Sequence, residues 1–176
     1  SGTPYFFSFH HRDVGHTTII GPTGAGKTVL MNFLCAQSQK FNCRLFLFDK
    51  DRGAEIFVRA IHGNYSVIDP SERCGFNPLH LPDTNENRNF ISEWLQALVT
   101  TQDEKLTPED LASINEAVSG NFKLSKKDRM LRNIAPFFGV DKPGSIASRL
   151  KQWYGTGRYA KIFDNPYDAL DFGSHR

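Results

Sequence analysis

The sequence predicts an α/β fold, a parallel sheet flanked by helices and interrupted by an all-α insertion. Three observations predict it. A β-branched run at 17–20 leads through a glycine-rich loop at 21–28 into a helix-forming, largely apolar stretch at 29–36. Strand and helix patterns then alternate to about residue 69. From residue 83 to about 159 no strand pattern occurs, and apolar residues recur at helical spacing. Residues 1–80 are therefore assigned to the N-terminal part of an α/β core, 81–160 to the insertion, and 161–176 to a return towards the core.

Composition sets the bounds. The chain has 176 residues, 39% of them hydrophobic and 15 of them Phe, enough for a real core and too apolar for disorder. A net charge of +2 carries no strong attraction to nucleic acid or membrane, and no basic stripe interrupts the pattern. Cys35, Cys43 and Cys74 show neither CxxC spacing nor an even-numbered framework, and Cys35 reads as a buried free thiol. No stretch reaches the roughly 18–20 apolar residues that span a bilayer.

The elements follow in order. Tyr5-Phe6-Phe7-Ser8-Phe9 reads as a strand, and Asp13-Val14-Gly15 turns it into the run at 17–20. After the loop helix, Asn42-Cys43 breaks the pattern. Arg44-Leu45-Phe46-Leu47-Phe48-Asp49 is a second strand, apolar on both faces as in a covered parallel sheet. Ile56, Phe57, Ala60 and Ile61 mark a helix within 53–63, and Tyr65-Ser66-Val67-Ile68-Asp69 a third strand. Gly75-Phe76-Asn77-Pro78-Leu79 is a loop, with Asn77 and Pro78 as turn formers. In the insertion, Phe90, Ile91, Trp94, Leu95, Leu98 and Val99 form a helical stripe. Thr107-Pro108-Glu109-Asp110 opens a second helix with a hydroxyl cap, proline at the first position and acids in the first turn. Ser125 and Asp128 have capping-box spacing before Met130, Leu131 and Ile134, and Pro136 ends or kinks that helix. Ile146, Leu150, Trp153 and Tyr154 stripe a fourth, and these aromatics read as core.

The chemistry concentrates in Gly21-Pro22-Thr23-Gly24-Ala25-Gly26-Lys27-Thr28, a complete GxxxxGK[ST] phosphate-binding loop. Glycines allow positive φ and let backbone N–H groups close on phosphate oxygens. The expected nucleotide contacts are Gly21, Thr23, Gly24, Ala25, Gly26, Lys27, Thr28 and Val29, the last at a helix start whose free amides favour an anion. Lys27 supplies a point charge to the outer phosphates and is the one expected catalytic residue. The Thr28 hydroxyl is expected on Mg²⁺, which accompanies ATP. Asp49, ending an apolar run, has the form of a second metal acid. The competing assignment makes 44–49 the next strand of the sheet, with the metal acid elsewhere. Asp49-Lys50-Asp51-Arg52-Gly53 sits where ligands gather in open α/β sheets, and its bland alternative is a solvated turn with Asp51 capping the next helix. His10, His11 and His16 lack the helical spacing of a zinc site and read as surface or strand-end residues. Arg149 and Arg158 read as ordinary helix arginines.

Five strings stand in order: Phe7-Ser8-Phe9-His10, Asp13-Val14-Gly15-His16-Thr17, the loop itself, Phe48-Asp49-Lys50-Asp51-Arg52-Gly53-Ala54-Glu55 and Gly75-Phe76-Asn77-Pro78-Leu79. Together, and with Phe163-Asp164-Asn165, they resemble the CagE/TrbE/VirB class of type IV secretion ATPases of bacterial conjugation and effector export. The resemblance implies a RecA-like P-loop NTPase motor domain with an all-α insertion. It also implies ATP and Mg²⁺, homo-oligomers (often hexamers), other secretion-system subunits as partners, and a cytoplasmic position peripheral to the bacterial inner membrane. Lys27 and Thr28 carry over by this resemblance, and Asp49 to Arg52 carry over as a motif. The family's later Walker B strand and Asp-Glu pair have no counterpart up to Arg176. The expectation is therefore an incomplete sheet in a nucleotide-binding fragment that does not hydrolyse ATP alone and makes no direct nucleic-acid contact. The alternative is a self-sufficient small P-loop nucleotide or metabolite kinase with Asp49 as its metal acid.

Overall fold

The computed structural model describes residues 2, 6–10, 12–13, 15–101 and 105–169. They fall into two compact units, one up to residue 65 and one from residue 66 on. No helix among the described residues is long and apolar enough to cross a membrane.

The first unit holds the loop and two helices, α1 (Lys27–Ser38) and α2 (Glu55–Ala60). The described residues contain no β-ladder, so the expected strands at 17–20, 44–49 and 65–69 run without sheet hydrogen bonds. In the strand expected at 5–9, Tyr5 lies outside the described residues. The pattern at 44–49 gives the physical reason. Leu45 and Leu47 are half-buried, whereas Phe46 and Phe48 are exposed, so only one face has cover. A parallel strand needs both faces covered and an edge to pair with. Likewise no residue of α1 is buried, and the thiol of Cys35, read from sequence as buried, is only half-covered. The small core of this unit is Ala54 and Val58.

The second unit is helical and closes its own core. Its main helices are α3 (Asn85–Val99) and α4 (Pro108–Lys123), followed by the short α5 (Leu131–Ile134), α6 (Ile146–Leu150) and α7 (Ala160–Phe163). Thr84 caps α3 through the Asn87 amide. Thr107 caps α4 in a full reciprocal box with Asp110, as the sequence predicts. Ser125 departs from prediction. Its hydroxyl bonds the Asp128 carboxylate at 2.5 Å, and residues 126–128 form a 3₁₀ turn without a side-chain cap. Pro136 acts as expected: α5 stops at Ile134 and the chain tightens into a 3₁₀ turn at 135–138.

Leu79, Ile91, Leu95, Ile114, Leu131, Ile134 and Leu150 are fully buried at the centre. Trp94, Trp153 and Tyr154 pack against them, as their helical spacing predicts. Phe163 meets Phe76, Trp94 and Trp153 at ring centroids of 5.7, 6.0 and 5.1 Å, binding the end of the unit to α3.

A buried polar network ties the loop at 75–79 to the segment 163–165. The fully buried Asn77 donates from Nδ2 to the carbonyls of Arg129 and Asn165 at 2.8 and 2.6 Å, and accepts from the Leu79 amide at 3.1 Å. Asp164, also fully buried, accepts from the Arg132 amide at 3.1 Å, Arg132 Nε at 2.8 Å and the Gly155 amide at 3.0 Å. Asn165 donates to the Ile162 carbonyl at 2.7 Å. Asp164→Ala strands two backbone amides and should cost about 2–4 kcal/mol. A urea midpoint that falls with an unchanged slope is the expected result.

Candidate functional site

The loop at 21–28 is shaped by its glycines. Gly24 and Gly26 take φ of 82° and 83°, where other residues are strained, and a Cβ at either would meet nothing within 4 Å. The open side of the loop is therefore free for a ligand. Gly26 is the N-cap residue of α1 and supplies no side-chain cap, so the first amides of the helix, at Lys27, Thr28 and Val29, have no intrahelical acceptor. The Ala25 amide donates to the Pro22 carbonyl at 3.2 Å and closes the turn. Lys27 folds back over it, donating from Nζ to the carbonyls of Gly21 and Pro22, each at 2.9 Å. Its ammonium thus sits at the loop on neutral acceptors, which an anionic phosphate oxygen outcompetes. Free amides, two left-handed glycines, an ammonium and the Thr28 hydroxyl form a donor set that fits a nucleotide phosphate with its Mg²⁺. Thr23 and Gly21 complete the turn; Thr23 is exposed.

Asp49, the expected second metal acid, accepts three hydrogen bonds within this unit. Its Oδ1 accepts from the Gly53 amide at 3.2 Å, and its Oδ2 accepts from the Ala54 amide at 2.8 Å and from the Tyr65 hydroxyl at 3.1 Å. These donors close residues 49–54 into a loop and start α2. The N-cap of α2 is Ala54, with no side-chain cap, so Asp51 does not cap this helix; the Asp49 carboxylate bonds the amides just before it. The loop in turn touches α1. Asn32 donates from Nδ2 to the Gly53 carbonyl at 3.3 Å, and the α-carbon of Gly53 lies against Thr28. Arg52 takes the left-handed turn, at φ 57°. Arg59, paired with Glu55 at 2.9 Å, lies over the Tyr65 ring at 5.9 Å.

The sequence pattern did not reveal Tyr65 and Asn32 as parts of this assembly. The i, i+4 spacing of Thr28 and Asn32 on one helix face was the available signal for Asn32. Nothing local marked Tyr65, sixteen residues from its partner Asp49. His10 and His16 are exposed, in keeping with surface histidines, and His11 lies outside the described residues. Arg149 is not a solvated helix arginine, since it is largely covered and lies 3.7 Å from Asp110.

The family model of the TraG P-loop domain matches residues 12–140, most of the chain and all of the loop just described. This chain belongs to the TraG P-loop domain family. Its relatives are type IV secretion proteins, as the resemblance of the motif strings implies. It is 39% identical over 175 residues to the type IV secretion system protein virB4 of Bartonella quintana, an alignment covering 99% of this chain and 22% of that protein. It is 38% identical over 198 residues to the type IV secretion system protein PtlC of Bordetella pertussis, covering 98% of this chain and 24% of that protein. With virB4 of Brucella abortus the identity is 34% over 203 residues, covering 99% and 24%. The chain thus spans less than a quarter of the length of these curated relatives.

The hydrogen bonds to Asp49 hold its carboxyl below the usual carboxylate range, the Ala54 amide contributing most and partial burial opposing it. The sign follows from linkage. A carboxylate with a depressed folded pKa stabilises the loop at 49–54 above its unfolded value and loses that contribution as pH falls through the folded one. The amide resonances of Gly53 and Ala54 should therefore titrate with a midpoint below the ordinary carboxylate value. Asp49→Asn should abolish that titration.

Proposed function

We propose that this chain is the nucleotide-binding part of a type IV secretion ATPase, taking ATP with Mg²⁺ on residues 21–28. The observation that carries the proposal is the donor set of that loop: left-handed Gly24 and Gly26, the uncapped start of α1, and Lys27 resting on two carbonyls. Lys27 binds the outer phosphates as a catalytic cation, and the backbone N–H groups of Gly21 and of Thr23 to Val29 cradle the chain of phosphates. Thr28 holds Mg²⁺. Bound Mg²⁺ supplies charge neutralisation at the phosphates.

The ATPase function powers assembly or substrate transport in a homo-oligomer, a hexamer by family pattern, working with other secretion subunits at the cytoplasmic face of the inner membrane. The names of the virB4 and PtlC relatives support the secretion role. A parallel sheet in the longer protein would cover Phe46, Phe48, Val29 and Phe33, all exposed here. Asp49 is assigned to the loop rather than the metal, a reading supported by its hydrogen bonds from Gly53, Ala54 and Tyr65. Those bonds favour this reading over a self-sufficient kinase using Asp49 as its metal acid, and the chain is assigned ATP binding without turnover by itself.

Calorimetric titration with ATP and Mg²⁺ tests the binding. Lys27→Ala should weaken it by about 30- to 150-fold, the loss of one charge-assisted contact. Steady-state phosphate release by the 176-residue chain, lost in Lys27→Ala, would contradict the reading that it does not turn over ATP by itself.

A further inference from the structure

We propose that Gly53, clamped by Asp49 and Asn32, is a positioning residue for Thr28, its bare α-carbon setting the threonine rotamer that offers the hydroxyl to Mg²⁺. The proposal rests on the nucleotide assignment above and concerns how the same site is built.

The glycine is not there for backbone freedom. Its φ lies outside the left-handed region, and the left-handed turn of this loop falls on Arg52. What a side chain at Gly53 would meet is Thr28. An added Cβ would lie 3.0 Å from the Thr28 methyl, against 3.9 Å from its hydroxyl oxygen. The methyl therefore faces the glycine and the hydroxyl is the more distant branch. A helical threonine has only two favoured χ1 wells, so the surface behind its methyl selects between them.

That surface is held on every side. The Gly53 amide donates to Asp49 Oδ1 at 3.2 Å, and its carbonyl accepts from Asn32 Nδ2 at 3.3 Å. Asp49 is itself fixed by the Tyr65 hydroxyl at 3.1 Å and by the Ala54 amide at 2.8 Å. Asn32 lies one turn beyond Thr28 on α1, so the helix that carries the metal ligand also grips the residue behind it. Both polar groups of Gly53 are thus in use, and the contact with Thr28 cannot relax by a simple slide of the loop.

The test measures the affinity of the intact protein for a fluorescent ADP analogue, with Mg²⁺ and separately with EDTA. Gly53→Ala should lower the Mg²⁺-supported affinity about 10-fold, as loss of an orienting neighbour does, and leave the EDTA value unchanged. Thr28→Ser in the Gly53→Ala chain removes the colliding methyl while keeping the hydroxyl, and should restore the Mg²⁺ increment. Tyr65→Phe, which only loosens the clamp, should lower the increment by less. A loss that is equal with and without Mg²⁺, or that Thr28→Ser does not restore, overturns the proposal. So does a Gly53→Ala chain that binds like the wild type. If Gly53→Ala does not fold, an unchanged increment in Tyr65→Phe overturns it and a reduced one supports it. A wild-type protein that binds no nucleotide overturns the nucleotide assignment, and this proposal with it, which is a distinguishable result.

Discussion

The first unit depends on where the oxygens of one carboxylate go. Asp49 ends an apolar segment whose sheet partners are absent among the described residues, and its two oxygens accept from the amides of Gly53 and Ala54 and the hydroxyl of Tyr65. A carboxylate that accepts several N–H or O–H donors is stabilised as the anion, and it fixes the donors in return. The loop at 49–54, the start of α2 and the backing of Thr28 all follow from that arrangement. Without it, residues 49–54 would have no reason to lie against the phosphate loop, since few apolar contacts hold this unit together.

The second unit repeats the device with a different outcome. Asp164 also follows an apolar pair, Ile162-Phe163, and also gathers backbone amides, from Arg132 and Gly155. Here the carboxylate is fully buried beneath a closed aromatic and aliphatic core, so it acts as a fastening between α5 and α7. Asn77 and Asn165 extend the network to the loop at 75–79. The contrast is physical. The second unit buries a continuous apolar core, from Leu79 and Ile91 to Leu150, and bonds Asp164, Asn77 and Asn165 within it. The first leaves Ile20, Phe46, Phe48 and Ile56 exposed.

How much of this was legible in the sequence depends on the range of the interactions. The phosphate loop, the Thr107 cap, the stop at Pro136 and the apolar stripes of α3 and α6 are local patterns, set within a turn or two of helix, and they were readable. The sheet was read from periodicity, but a strand exists only with a neighbour, and periodicity says nothing of whether a neighbour is present. Asp49 has the form of a metal acid because it ends an apolar run. Its hydrogen bond from Tyr65 depends on a fold-back that no short-range pattern encodes. The Asn77–Asp164–Asn165 network was visible only as motif strings, since its bonds join residues up to about 90 positions apart. Ser125 and Asp128 had capping-box spacing, yet the two side chains bond each other directly.

The central claim is that residues 21–28 form a phosphate cradle made of backbone amides and Lys27. Amide hydrogen exchange across Gly21 to Leu30, with and without saturating ATP and Mg²⁺, tests it most directly. The account predicts strong new protection at the amides from Gly24 to Val29, with little change in α4. Unchanged exchange through this loop at saturating nucleotide would contradict it.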